Sequence, residues 1–208
     1  MMRHTSLLPI ALACILCTAC GGLQAGPPLT RFYTLEYVPP ALVKTERLRA
    51  SLRIERFQSA PIYATDRIVY RESAYQRQTY TYHRWRASPS DLVSFSLVRD
   101  LRHSARFAAV VGYDSRLSTT HAVEGEVEEF FEEDAPDRWH AVMALNITLL
   151  REDEPDPGRR VVFQRVYRAR EPCSDKTPSA VAAAMSDAMG RISAALTEDI
   201  YAALADDA

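Results

Sequence analysis

Glycine is scarce in this sequence, and the motifs that depend on it are missing. The chain has 7 glycines, and three of them, Gly21, Gly22 and Gly26, lie close together near the amino terminus. No Gly-rich phosphate-binding loop and no GxSxG nucleophile motif occurs. These absences argue against a nucleotide-binding protein and weaken the case for a serine hydrolase.

Clusters of metal-binding or catalytic residues are also lacking. There is no HExxH motif, and four histidines stand alone along the chain: His83, His103, His121 and His140. None is spaced from another His, Cys or carboxylate as metal ligands or a catalytic triad often are. We therefore expect no metal site, and the hypothesis that the protein is an enzyme is weakened. A hydrolase with catalytic residues scattered along the sequence stays open as a weak alternative.

No hydrophobic run is long enough to span a bilayer. The apolar stretch over residues 7–16 follows Arg3 and is shorter than the roughly 18 to 20 residues that a transmembrane helix needs. Such a segment is typical of a signal peptide, predicted here over residues 1–19. It ends in Leu-Cys-Thr-Ala-Cys-Gly at residues 16–21, which resembles a lipobox with Cys20 as the lipid attachment point. Cys17 departs from the usual pattern, where an aliphatic residue stands three before the modified cysteine.

Cysteine is too sparse for a disulfide framework. Three of the 4 cysteines lie in the first twenty residues, and Cys173 is the fourth. Cys17 and Cys20 also have CxxC spacing, but no second ligand pair follows, which makes a redox or zinc motif the weaker interpretation. Once Cys20 carries a lipid, Cys173 has no intrachain partner, and we expect it to be an unpaired thiol.

The charge balance is close to neutral. The formal net charge is −2, and removal of the signal peptide with Arg3 makes it one unit more negative. Such a chain lacks the basic excess of a nucleic-acid-binding protein. Residues 20–30 read as a flexible, lipid-anchored tether, and residues 31–208 are long enough for one domain with a real core.

Alternating and helical patterns predict the secondary structure of this domain. Strands are predicted over 31–38, 48–57, 67–71, 79–84, 107–111, 122–132, 139–151 and 160–170. Two helices are predicted, each beginning at a cap followed by proline: Ser88-Pro89, running to about His103, and Thr177-Pro178, running to the carboxyl end. Residues 67–84 and 139–170 are expected to form hairpins. The order predicts an α+β fold with a largely antiparallel sheet and two helices packed on one face.

Two composition features have both a structural and a functional interpretation. Acidic residues are dense from Glu124 to Asp134, and Glu124, Glu126 and Glu128 alternate with apolar or small residues as a strand with one solvated face does, which we favour over a calcium site or a surface for a basic partner. Aromatic residues are frequent over 63–85, where sheet packing is favoured over a ligand- or lipid-facing surface. They are Tyr63, Tyr70, Tyr75, Tyr80, Tyr82 and Trp85.

From Arg31 nearly to its end, the sequence resembles the ABC-type transport auxiliary lipoproteins, the group that includes the PqiC lipoproteins. The similarity rests on the lipobox Cys20, the early FYTL segment at 32–35, DRIVYR at 66–71 and YHRW at 82–85. It continues through VEGEV at 123–127 and AVMALNI at 141–147.

The resemblance implies a periplasm-facing adaptor or docking protein without catalytic residues. Its partners would be an MCE-domain protein and an ABC transporter or related membrane complex, moving phospholipids or other hydrophobic molecules between membranes. No cofactor is expected, and the membrane would be contacted through the covalent lipid on Cys20. The oligomeric state, including a homo-oligomer, stays open. The alternative is a structural lipoprotein that assists outer-membrane assembly or integrity.

Two further expectations concern the membrane to which the protein is attached and the surface that binds its partner. Gly21 rather than Asp follows Cys20, so the usual inner-membrane retention signal is absent and the outer membrane is expected. Arginine and aromatic side chains are typical binding hot spots. We therefore expect the exposed edge of the 67–84 hairpin, including Arg71, Tyr75 and Trp85, to be the partner-docking surface, although burial of Trp85 under the first helix is an equal alternative.

Overall fold

The structure is a computed structural model that describes residues 28–41 and 46–206. Cys20, the predicted signal peptide and most of the predicted tether lie outside the described residues. Nine strands and three helices follow one another in this part of the chain. They are β1 (Arg31–Tyr33), β2 (Leu48–Ile54), β3 (Gln58–Ser59), β4 (Arg67–Arg71), β5 (Gln78–Trp85), α1 (Pro89–His103), β6 (Phe107–Gly112), β7 (His121–Asp134), β8 (Trp139–Arg151), α2 (Pro157–Arg160), β9 (Val161–Pro172) and α3 (Pro178–Ala205), with a 3₁₀ turn at Pro61–Tyr63.

Strand β7 organises the sheet. Along one side it pairs antiparallel with the whole of β8, which in turn pairs antiparallel with β9. Along its other side it pairs in parallel with β2, β3 and β4 in succession. Strand β5 pairs antiparallel with β4, and β1 pairs in parallel with β5. Three short strands thus share one side of a long strand, in one curled sheet.

The prediction of a largely antiparallel sheet was therefore wrong, and the sheet is mixed. Both predicted hairpins are antiparallel, but β1–β5, β2–β6, β2–β7, β3–β7 and β4–β7 are parallel pairs. Side chains alternate with a period of two in both parallel and antiparallel strands, so the sequence pattern did not indicate strand direction. The α+β assignment is confirmed, while β1 ends at Tyr33 rather than Val38 and the short α2 had not been predicted.

The two long helices begin as their sequences predict. The Ser88 hydroxyl accepts a hydrogen bond from the Asp91 backbone N–H at 3.2 Å, and Thr177 does the same for Ala180 at 3.3 Å. A proline follows each cap, where its missing N–H costs nothing. Helix α1 packs on β6 and β7, and α3 packs on β8, β9 and α1. Together they cover the apolar face of the sheet.

The middle of the core depends on a missing side chain at Gly125 in β7. A Cβ atom there would lie 2.4 Å from Cε2 of the buried Phe57 and 2.9 Å from the backbone oxygen of Asn146. We expect Gly125→Ala to lower the free energy of unfolding by about 1–3 kcal/mol, because the Phe57 ring would have to move within a packed core. Urea titration of both proteins measures this change.

Gly158 in α2 provides the matched control. A Cβ atom there would meet only Oδ1 of Asp156, at 3.4 Å, and we expect Gly158→Ala to leave the urea midpoint nearly unchanged. Equal midpoints for the wild type and the Gly125 variant would show that Phe57 relaxes without cost.

Candidate docking surface

The β4–β5 hairpin projects a group of arginine and aromatic side chains from one end of the sheet. We call Arg71, Tyr75 and Arg77 the hairpin surface. Beneath Arg71 and Arg77 lies the buried ring of Phe131 in β7, stacked on Tyr63 with ring centroids 6.0 Å apart and planes 10° apart. An aromatic ring of the central strand β7 therefore supports the hairpin surface from below.

Two guanidinium groups lie near the Phe131 ring. The Arg71 Cζ atom is 4.6 Å from the centroid of the Phe131 ring, and that of Arg77 is 4.9 Å from it, both within cation–π range. Arg71 also forms an ion pair with Glu133, which accepts a second hydrogen bond from Nε of Arg170 at 2.7 Å. Arg71 is therefore held in place from two sides.

Tyr75 is the most exposed large side chain of the hairpin. Its ring is 100% exposed at the turn between β4 and β5. The turn is held by Arg77, whose Nη1 donates to the backbone oxygens of Ala74 at 3.3 Å and Gln76 at 2.9 Å. Arg77 was not among the predicted docking residues, because its place beside Phe131 depends on a contact between distant segments of the chain.

Trp85 does not belong to this surface. Its side chain is only 2% exposed and meets Phe130 edge-on, with ring centroids 5.1 Å apart and planes 74° apart. The parallel register of β1 and β5 sets Trp85 beside Tyr33, which packs against the core. The inclusion of Trp85 in an exposed docking edge is therefore corrected, because the pleat directs it inward. Arg71 and Tyr75 remain accessible.

A buried carboxyl group lies under the hairpin, on the inner face of β7. Glu132 is 0% exposed, and its Oε1 accepts a hydrogen bond from the Tyr80 hydroxyl at 2.9 Å. Its Oε2 and Oδ1 of Asp134 are both buried acceptors without a donor. Burial, and then the neighbouring Asp134 carboxyl group, raise the pKa of Glu132 to about 8. We therefore expect Glu132 to hold a proton at neutral pH.

Cys173 is buried near this carboxyl pair. Burial, and then the charge of Glu132, raise the pKa of its thiol to about 11. It is the free cysteine of the described residues. A thiol with a raised pKa and no exposure is a poor nucleophile, which fits a packing role.

The acidic run in β7 is divided among several roles. Glu124 and Glu126 are exposed, which confirms the prediction of a solvated strand face for these two residues. Beyond them, Glu128 and Glu129 form ion pairs with Arg168 at 3.5 Å and 3.2 Å. Across residues 28–41 and 46–206, no group of three His, Cys, Asp or Glu side chains could hold a metal ion.

The fold is an α+β domain, and its β4–β5 hairpin leaves Tyr75 fully exposed. The family model for the ABC-type transport auxiliary lipoprotein component matches residues 33–197. The chain therefore belongs to this family, which is defined by an accessory role in transport rather than by a reaction. Family membership confirms the resemblance seen in the sequence.

Solved structures share the fold. XCC0632 from Xanthomonas campestris has 22% sequence identity and a TM-score of 0.77, over 86% of this chain and 98% of its own. An uncharacterised protein has 14% identity and a TM-score of 0.67, over 83% and 99%. CT253 from Chlamydia trachomatis has 8% identity and a TM-score of 0.50, over 74% and 96%. Comparison with curated proteins found no match.

Proposed function

We propose that this chain is a periplasm-facing accessory lipoprotein of an MCE/ABC-type system that moves lipids or other hydrophobic molecules between two membranes. The family match over residues 33–197 carries the proposal, because it supports an auxiliary role in ABC-type transport. The MCE-domain partner and the lipid cargo come from the resemblance of the sequence. In this role the chain binds and positions a partner and catalyses no reaction.

The proposed attachment is a lipid on Cys20 at the outer membrane. None of the helices in the described residues is long and apolar enough to cross a bilayer. The membership in a lipoprotein family supports attachment to an envelope membrane. Gly21 after the lipidated cysteine favours the outer membrane, with the folded domain on the periplasmic side.

The proposed contact with the partner is the hairpin surface. Arg71 is fixed by Phe131 and Glu133, so little side-chain freedom is left to lose on binding. Tyr75 offers a large amphipathic ring that the fold itself does not bury. Residues of these two types are frequent binding hot spots.

Substitution of Tyr75 tests this contact. We expect Tyr75→Ala to weaken co-purification with the MCE-domain protein of the same system by roughly 30-fold, the effect of a hot spot worth about 2 kcal/mol. The thermal midpoint should not change, because the wholly exposed ring supports no packing. Arg71→Ala should act in the same direction, and Glu133 would still be paired with Arg170.

Leu117 is the control, since it is another exposed large side chain, in the loop that leads into the opposite end of β7. Leu117→Ala should leave co-purification unchanged. Full co-purification of the Tyr75 and Arg71 variants would remove the hairpin surface from the proposal. A wild-type chain that captures no MCE-domain protein, in cells whose envelope leaks without it, would instead favour the structural lipoprotein.

A further inference from the structure

We propose that the sheet edge formed by β1 and the end of β5 is a membrane-contact surface that rests on a phospholipid bilayer. This surface, the β1 patch, consists of Leu29, Arg31, Phe32, Tyr82 and Arg86. The inference rests on the proposed lipid attachment of Cys20 and adds a second contact with the same membrane, made by the folded domain.

The apolar side chains of the β1 patch are exposed. Leu29 is 86% exposed, Phe32 is 51% exposed, and Tyr82 is also exposed. Strand β1 is the last strand at its end of the sheet order and pairs only with β5 within the described residues. Phe32 and Tyr82 are thus aromatic side chains at a sheet edge, in contrast to the packed Tyr63, Tyr80 and Trp85.

The charged part of the patch is positive. Arg86 lies over the Phe32 ring, with Cζ 5.1 Å from its centroid. Arg31 is exposed beside His83, and its charge contributes, after burial, to a lowered pKa of that imidazole. Neither Arg31 nor Arg86 forms an ion pair with any carboxylate in the described part of the chain. The nearby Asp66 is paired with Arg84 at 3.1 Å.

The path of the chain brings this patch to the membrane. Between Cys20 and Leu29 an extended chain spans at most roughly 30 Å, at about 3.3 Å per residue. Strand β1 pairs with His83–Trp85 at the end of β5, so the patch is the first part of the folded domain that follows the tether.

The chemistry of the patch fits a bilayer surface. Aromatic rings and leucine insert at the boundary between headgroups and acyl chains, and guanidinium groups pair with lipid phosphates. Each arginine near an anionic surface adds about fivefold to the partition constant. A short tether makes the bilayer the surface that the patch meets most often. The covalent lipid supplies stable attachment, and the patch fixes the orientation of the domain.

The test measures how deep single positions lie in the bilayer. Full-length lipidated protein is reconstituted in vesicles of phosphatidylethanolamine and phosphatidylglycerol that contain a spin-labelled lipid. A fluorescent label at Phe32→Cys should be strongly quenched. The same label at Leu117→Cys, in the loop at the other end of β7, should not be. Arg31→Glu combined with Arg86→Glu should reduce the quenching at position 32 severalfold while the protein stays bound through its lipid.

Three outcomes separate this inference from the proposed function. Protein that floats with the vesicles but shows equal quenching at positions 32 and 117 overturns the β1 patch and leaves the anchor intact. Protein that does not float at all overturns the anchor and the patch together. Quenching of a label at Tyr75→Cys but not at position 32 also overturns the patch, because it assigns the membrane contact to the hairpin turn.

Discussion

Replacing Glu132 by Gln should remove a pH-dependent loss of stability on the order of 4 kcal/mol. The ordinary pKa of this carboxyl group is 4.5, and burial beside Asp134 raises it to about 8 in the folded protein. Each unit of pKa difference corresponds to about 1.4 kcal/mol between the two states. This is the largest effect on the free energy of unfolding that we expect from any one side chain under the hairpin.

The direction of the effect follows from proton binding. Between pH 4.5 and about 8 the folded protein holds a proton on Glu132 that the unfolded chain has released. Stability therefore falls as the pH rises through this window, and it levels off above it. In Glu132→Gln the amide oxygen still accepts from Tyr80 and the amide N–H₂ can donate to Asp134, whose Oδ1 lacks a donor. The variant has no proton to lose there.

The measurement is a series of urea titrations of both proteins between pH 5 and pH 9. The free energy of unfolding of the variant, relative to that of the wild type, should rise steadily with pH. At pH 9 the variant should be the more stable protein. Glu126→Gln, an exposed change on the same strand, should follow the wild type at every pH. Parallel curves for the wild type and the Glu132 variant would show that Glu132 is already ionised in the folded protein.

Local features of the fold were predictable from the sequence. Both long helices begin at a cap followed by proline, because such residues satisfy the first backbone N–H groups whatever the rest of the fold does. The strict alternation of Met143, Leu145, Ile147 and Leu149 indicated the buried face of β8, where all four are fully buried. Burial on one face only is a local property of the strand.

Other features depend on contacts between distant parts of the chain. The parallel pairing of β1 with β5 joins Arg31 to His83, and nothing near either residue indicates it. The same pairing decides that Trp85 points inward and Phe32 outward. Phe131 lies under Arg71 and Arg77 because β4 pairs with the end of β7. No sequence pattern indicated this contact.

The register of β5 places three of its aromatic side chains in three different environments. Trp85 completes the core, Tyr80 binds the buried Glu132, and Tyr82 stays at the exposed edge beside β1. The exposed Phe32 of β1 and the exposed Arg86, which directly follows β5, contribute little to the packing of this sheet edge. The proposed lipid on Cys20 and the proposed β1 patch would together hold the domain in one orientation on the membrane.

Substitution of Cys20 should move nearly all of the protein out of the membrane fraction without unfolding it. A single acyl chain gives only reversible membrane binding, and stable attachment needs two signals. The three chains expected on Cys20 exceed that requirement, so the anchor alone accounts for stable attachment. The Arg and aromatic residues of the β1 patch are too few to replace it. Cys20→Ala protein should therefore appear in the soluble fraction or be mislocalised.

Fractionation followed by thermal unfolding tests this prediction, with Cys17→Ala as the control. Cys17 is the other cysteine of the lipobox region and a poor lipid acceptor, since the bulky Ile15 and Leu16 precede it. Its substitution should leave the protein in the membrane fraction. If the Cys17 variant, and not the Cys20 variant, left the membrane fraction, Cys17 would be the lipidated cysteine and cleavage would occur before it. An unfolded Cys20 variant would show that the anchor and the fold are not separable, although the sheet and both long helices lie wholly within residues 31–205.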